Sequence, residues 1–419
     1  MTDQQKKRVL VIAYYYPPLG GAGILKILRT TRYLPKFGWT PLVLTVKNPE
    51  KYHRADNPVP DGSEVYRAFR IPGANLMARI LRRLKLDERW LFLPDQHIFW
   101  LPGALLSGLR LIKNNGVDLI YVTAPPYSAL MVAALLKKIT GKPLIVDVRD
   151  PWSFNAARKG YPTFIHRLLD GAFEKWVLKK ADYITCIYRI TEDGYHRIYD
   201  WTREKIKVFY DTVDLADLPK EEAVLNSVFT LTYLGTFYPP FASLSATLRA
   251  IKVLWEQRII DSSKFCFNYV GPTDYTFERM VGELGIGDLV RRTGYMPLKE
   301  AQLEAAQSHM LLLLLEFATI NTKLFEYLAT GRTILAVVPQ FEELEDLLRK
   351  YAVNYYKITD NDHLAIAEKI KECYLDYYHG RIKPSPDKLN RFKEELNIEA
   401  ETKELAAIFD KYSVDATHE

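Results

Sequence analysis

The feature that most constrains this chain is an alternation run twice: a short apolar run, a turn, an amphipathic helical stretch, then another apolar run. Arg8–Tyr16 (RVLVIAYYY) is apolar without a break, the pattern of a parallel strand covered on both faces. Pro17–Gly23 (PPLGGAG) ends it. Ile24–Phe37 then sets Leu25, Leu28, Tyr33, Leu34 and Phe37 among Lys26, Arg29, Arg32 and Lys36, a one-sided helix. Thr40–Val46 is the next strand. The unit recurs with strands at Asp118–Thr123, Pro143–Val148, Asp182–Tyr188 and Lys205–Phe209, interrupted by 47–115, where one extra strand and two helices are expected. A second series opens at Val228, with strands at Phe229–Gly235, Lys264–Gly271, Leu289–Gly294, His309–Leu315 and Thr333–Val338. The expected class is α/β: two Rossmann-like, doubly wound domains facing across a cleft, spanning 1–214 and 215–385. The charged terminal helix within 386–419 is expected to pack back on the first.

Composition narrows the function. Apolar residues make up 48% and charged ones 26%, which excludes a disordered chain. The 57 basic residues against 51 acidic ones give +6, which suits an anionic ligand or an acidic membrane surface and does not call for nucleic acid. Cys186, Cys266 and Cys373 are odd in number and far apart, so neither a disulfide framework nor a metal spacing is read, and a reducing, cytoplasmic setting is expected. The polar N-terminus followed by a short apolar run is not a signal peptide. No window reaches the ~18–20 apolar residues of a membrane span. The segment 65–90 combines seven basic residues with Leu76, Met77, Ile80, Leu81 and Leu84 at helical spacing. It is read either as a peripheral anchor on the inner face of an anionic membrane or as a core-packed helix with a solvated basic face.

Four segments carry candidate chemistry. Gly20, Gly21 and Gly23 lie between a strand and a helix, where backbone amides meet phosphate. A dinucleotide site needs a glycine where Lys26 stands and an acid near Val46-Lys47-Asn48, so no nicotinamide or flavin cofactor is expected. A tight turn without a ligand is the alternative. Gly235-Thr236-Phe237 offers a second such turn. In Asn321–Gly331 (NTKLFEYLATG), Thr322 is expected to cap a helix, with Lys323 and Glu326 on one face, as an anion site or as a surface ion pair. Arg149 and Asp150, in Asp147–Trp152 (DVRDPW), end a buried strand. Either Asp150 pairs with Arg149 and caps a turn, or Asp150 orients or deprotonates an acceptor hydroxyl while Arg149 binds phosphate or acceptor. No Asp-x-Asp follows a strand in a suitable loop, and no metal is expected.

The segments PPLGGAGILKILRTTRYLPKFGW, TAPPYSALMVAALL, PLIVDVRDPW, TGYMPLKEAQLEAAQSHMLLLL and KLFEYLATGR, in this order, resemble retaining glycosyltransferases of the GT-B fold, family 4, of the bacterial branch that builds surface polysaccharides. The resemblance implies a hexosyltransferase using a nucleotide-diphosphate sugar and a glycan or lipid-linked acceptor, without metal. It implies that Glu326 binds the ribose hydroxyls, that Gly294 and Tyr295 pack on the nucleobase, and that Gly20 and Gly21 meet the diphosphate and acceptor. It implies that the departing phosphate assists the acceptor. The chain departs from the family pattern at Ala318, where a first Glu is usual, and at Thr236–Pro240, where cations are usual. A sugar-nucleotide epimerase or hydrolase of the same fold, or a non-catalytic partner subunit, is the alternative.

Overall fold

The computed structural model describes residues 7–20, 22–47, 58–72, 74–85, 90–155, 158, 160–219, 223–237, 239–272, 274–381 and 386–415. Seven strands make one sheet: β1 (Lys7–Ile12), β2 (Trp39–Val46), β3 (Glu64–Ala68), β4 (Leu119–Ala124), β5 (Leu144–Val148), β6 (Tyr183–Cys186) and β7 (Ile206–Val208). Their order is β3-β2-β1-β4-β5-β6-β7, and every pairing is parallel. A second parallel sheet holds β8 (Phe229–Leu234), β9 (Phe265–Val270), β10 (Val290–Arg292), β11 (Met310–Leu314), β12 (Thr333–Val337) and β13 (Tyr355–Ile358), ordered β10-β9-β8-β11-β12-β13. Strand order reverses between β1 and β4, and again between β8 and β11. Ligands of open α/β sheets settle at such switch points, outside the carboxyl ends.

The unbroken apolar strands follow from burial on both faces. Alternate residues of β1 enter opposite cores: Leu10 and Ile12 join Leu42, Leu44 and Trp100, while Val9 and Val11 join Ile27, Leu28 and Phe409. Residues within 1–211 and 398–419 form one compact unit, and those within 212–397 form another.

The single helix expected near the C-terminus is two. Pro386–Glu395 stays with the second unit, and Ile398–Asp415 packs on the first, its Phe409 ring 5.3 Å from that of Trp39. Leu396 and Asn397 interrupt the helix, and Asn397 Nδ2 donates back to the Lys393 carbonyl at 2.8 Å. A polar side chain bonding its own backbone competes with helix continuation.

The insertion 47–115 carries β3 and the helices Ala74–Arg83 and Leu101–Asn115, as expected. Its basic stretch differs from the expectation in detail: Arg67 Nη2 donates to the Pro17 carbonyl (2.7 Å), and Arg70 is buried. Met77, Ile80 and Leu84 are exposed, so this stripe is not packed into the core; Leu81 is. Arg89 lies outside the described residues, as do Asp87 and Glu88. No helix among the described residues is long and apolar enough to cross a membrane.

Candidate functional site

In the second unit the chemistry gathers where β8 and β11 end. β8 runs into Gly235 at φ +100°, a conformation that favours glycine. The Gly235 N–H donates to the Val270 carbonyl (2.7 Å), tying the turn to β9. Gly271 packs against this turn so closely that a Cβ there would stand 2.3 Å from the Gly235 carbonyl oxygen.

Beyond β11, Phe317, Ala318 and Thr319 are exposed and Ile320 is buried. The loop feeds the helix Thr322–Thr330. Its cap position is Asn321, in extended conformation, and not Thr322 as the sequence suggested; the cap stands one residue earlier than expected. No side chain caps the first turn, and Asn321 Oδ1 is buried without a partner among the described residues. The Leu324 N–H donates to the Asn321 carbonyl (3.2 Å), which leaves the Thr322 and Lys323 amides, among the described residues, available to an anion.

Lys323 reaches back under the Gly235 turn. Its Nζ donates to the Tyr233 hydroxyl (2.6 Å) and lies 4.2 Å from that ring's centre. Tyr233 in turn donates to the Thr236 carbonyl (2.9 Å) and stacks on Phe237. Desolvation pulls the Lys323 ammonium down to about 8, with Glu326 opposing. Glu326 follows one turn later on the same face, half-buried. Glu316, the acid nearest the position where relatives carry a first Glu, accepts the Ser243 N–H (3.1 Å) and so caps the helix Ala242–Glu256. Gly294, at φ +73°, and the exposed Tyr295 follow β10, which is separated from β8 by β9.

In the first unit, Gly20 is buried and Gly21 lies outside the described residues. Arg149 and Asp150 follow β5 directly. Arg149 Nη1 donates to the Gly23 carbonyl and Nη2 reaches Asp211 (3.4 Å), so the guanidinium clamps the glycine loop and does not pair with Asp150. Asp150 accepts no hydrogen bond and closes no ion pair among the described residues. Burial raises its carboxyl above the ordinary value, with Arg149 opposing. Beneath it, Asp147 is buried and accepts the hydroxyls of Thr123 (2.8 Å) and Thr185 (2.7 Å), with Lys26 at 3.4 Å.

A cavity of about 350 Å³ opens at the carboxyl ends of β1 and β4, lined by Tyr15, Phe92, Asp95, His97, Tyr127 and Arg158 among others. Asp95 Oδ1 accepts from the His97 N–H and the Ser128 hydroxyl, and Oδ2 accepts from the Ser128 N–H. One carboxylate thus fastens the insertion to the helix Tyr127–Thr140. His97 Nε2 lies 3.0 Å from the Tyr15 hydroxyl. Arg158 donates to the Pro94 carbonyl (3.0 Å) and faces the Tyr127 ring at 4.9 Å. Burial pushes the Tyr127 phenol well up, with Asp150 adding to the shift, and the Tyr127 hydroxyl donates to the carbonyl of Pro151, the residue after Asp150 (2.7 Å). Aromatic and proline walls with a few polar groups suit a sugar ring or a similar polar, flat-faced ligand. Sequence reasoning missed Asp95, His97, Tyr127 and Arg158. The one available signal was Asp95-Gln96-His97, three polar residues inside an otherwise apolar stretch.

Residues 26–217 match the family model for Glycosyltransferase Family 4. No curated protein matches the chain in sequence. Among solved structures, the fold is similar to sucrose-phosphate synthase from Thermosynechococcus elongatus, with TM-score 0.69 and 14% identity over 98% of this chain and 100% of that one. It is also similar to an α,α-trehalose-phosphate synthase (UDP-forming) from Burkholderia vietnamiensis, with TM-score 0.65, 10% identity and coverage of 98% and 99%. A lipopolysaccharide outer core galactosyltransferase in its apo form gives TM-score 0.60, 14% identity and coverage of 96% and 99%. The architecture is GT-B, with two Rossmann-like domains.

Proposed function

We propose that this chain, a glycosyltransferase of the GT-B type, moves a hexose from a nucleotide-diphosphate sugar to a glycan or lipid-linked acceptor with retention of configuration. The observation that carries the reading is the arrangement around Gly235: an uncapped helix start, a glycine turn and a desolvated Lys323, with Glu326 one turn further. Amides and one ammonium receive the diphosphate, and the Glu326 carboxylate accepts the ribose hydroxyls. Gly294 and Tyr295 meet the base. Uridine is the base we assign, in keeping with the UDP-forming trehalose-phosphate synthase among the similar structures.

The acceptor binds at the first unit's cavity, with Asp150 orienting its hydroxyl and Arg149 holding the glycine loop in place. In the step, the bond from the anomeric carbon to the diphosphate oxygen breaks as the bond to the acceptor oxygen forms on the same face. The acceptor proton passes to the departing phosphate oxygen. Charge growing on the diphosphate is met by the helix start and Lys323, so no metal is called for. The galactosyltransferase of lipopolysaccharide outer core among the similar structures supports a role in surface-polysaccharide assembly.

The test is nucleotide release from UDP-, GDP- and dTDP-hexoses with and without added acceptor glycans. Acceptor-dependent release of UDP is expected, and Asp150→Asn should lower kcat at least tenfold with little change in donor KM. Release that ignores the acceptor would instead mark a hydrolase or epimerase.

A further inference from the structure

The helix Phe164–Lys180 is inverted along its first half. Its inward side carries two fully buried carboxylates. Asp170 accepts the Trp152 indole N–H (3.0 Å) and Arg158 Nη1 (2.9 Å). Glu174 accepts the Ser153 N–H (3.1 Å) and the Tyr195 hydroxyl (3.0 Å). On the outward side Phe164, Ile165, Leu168 and Leu169 are 71%, 65%, 55% and 46% exposed. Their spacing makes one continuous stripe. A helix with water outside carries the opposite pattern.

This stripe reaches the insertion at Trp90. The His166 ring meets Trp90 at 5.2 Å, and Trp90 and Leu91 are exposed. Trp90 is two residues from Phe92, whose ring packs on Phe99 (5.7 Å). The Phe99 carbonyl accepts the N–H of Ile71, three residues before the helix Ala74–Arg83 and its exposed Met77 and Ile80. Among the described residues of these segments the exposed charges are of one sign: Arg79, Arg83 and Lys85 on one side, Arg167 and Lys175 on the other. The acids of these two helices, Asp170 and Glu174, point inward.

We propose that this composite face docks the first unit on an anionic lipid bilayer. Its apolar stripes enter the boundary between headgroups and acyl chains, the basic side chains meet anionic headgroups, and Trp90 sits at interface depth. A symmetric pairing with a second copy would bring the same basic residues face to face, which disfavours that occupant. Phe92 also lines the cavity described above, so docking sets that cavity beside the headgroups. The docking stands independently of the transferase reading.

The test is co-sedimentation with phosphatidylcholine vesicles, with and without phosphatidylglycerol, at low and high salt. The full chain should bind the phosphatidylglycerol vesicles and release as salt rises. Leu168→Glu/Leu169→Glu, and separately Arg79→Glu/Arg83→Glu, should each weaken partitioning roughly tenfold or more while the melting temperature holds. Leu168→Gln/Leu169→Gln provides the milder pair should the glutamates disturb folding. Absence of binding to anionic vesicles overturns the proposal, as does binding that both leucine pairs leave unchanged. A wild-type dimer that the leucine variants dissolve would assign the face to a second copy and overturn it equally.

Discussion

Lys323 is the residue on which the proposed donor site turns. Its ammonium, pulled down to about 8, is needed in charged form to meet a diphosphate, so UDP affinity should fall above pH 8, toward about tenfold per unit. Lys323→Met should bind UDP more weakly and without that slope; calorimetric titration from pH 6.5 to 9.5 reads both. Gly235 is coupled to it. An alanine there meets the left-handed backbone, a penalty of about 1–2 kcal/mol, and places Cβ 2.9 Å from Lys323 Cε. The lysine can move, so Gly235→Ala should fold with a modest loss of melting temperature yet bind UDP at least tenfold more weakly. At this scale the sequence told much about residue type and less about posture. Lys323 and Glu326 were legible from helical spacing alone. That Arg149 turns away from Asp150 to Gly23 and Asp211 was not, because it depends on loops more than sixty residues away in sequence.

Elements were legible where one physical term dominates. β1 and β11 are buried on both faces, so their apolar runs read as strands without knowledge of their neighbours. The cap of the helix Thr322–Thr330 was misplaced by one residue, because Asn321 and Thr322 are both good caps and local preference cannot choose between them. The C-terminal helices were misread as one, since the break at Leu396–Asn397 depends on which unit each half packs against. Docking of the last helix also brings in Glu401, whose Oε2 is buried without a partner among the described residues. Burial, with Asp211 and Asp147 adding to it and Lys26 opposing, pushes its carboxyl up to about 8. The folded state therefore holds a proton that the unfolded chain releases near 4.5. Glu401's contribution is fullest below that value and is lost as pH rises through about 8. Glu401→Gln should leave the melting temperature near the wild-type value at pH 4.5 and raise it at pH 9, by about 1–3 kcal/mol of stability. Thermal melts at the two pH values check the sign.

For the whole molecule, the duplicated alternation announced two doubly wound sheets, and each sheet reverses its strand order next to its first strand. The donor crown proposed for the second unit rests on that topology together with two short motifs. The first unit's cavity did not, because it is assembled from an insertion, two strand ends and Arg158, segments that no local pattern relates. The central claim is that the second unit's crown holds a nucleoside diphosphate, with the Glu326 carboxylate on the ribose. Titration of UDP into the wild-type chain and into Glu326→Ala, with thermal melts as the control, tests it most directly. The account predicts saturable binding to the wild type and a loss of roughly 10–100-fold in the variant, the worth of charge-assisted hydrogen bonds, at unchanged melting temperature. Equal affinity in both proteins, or no binding to either, would contradict it.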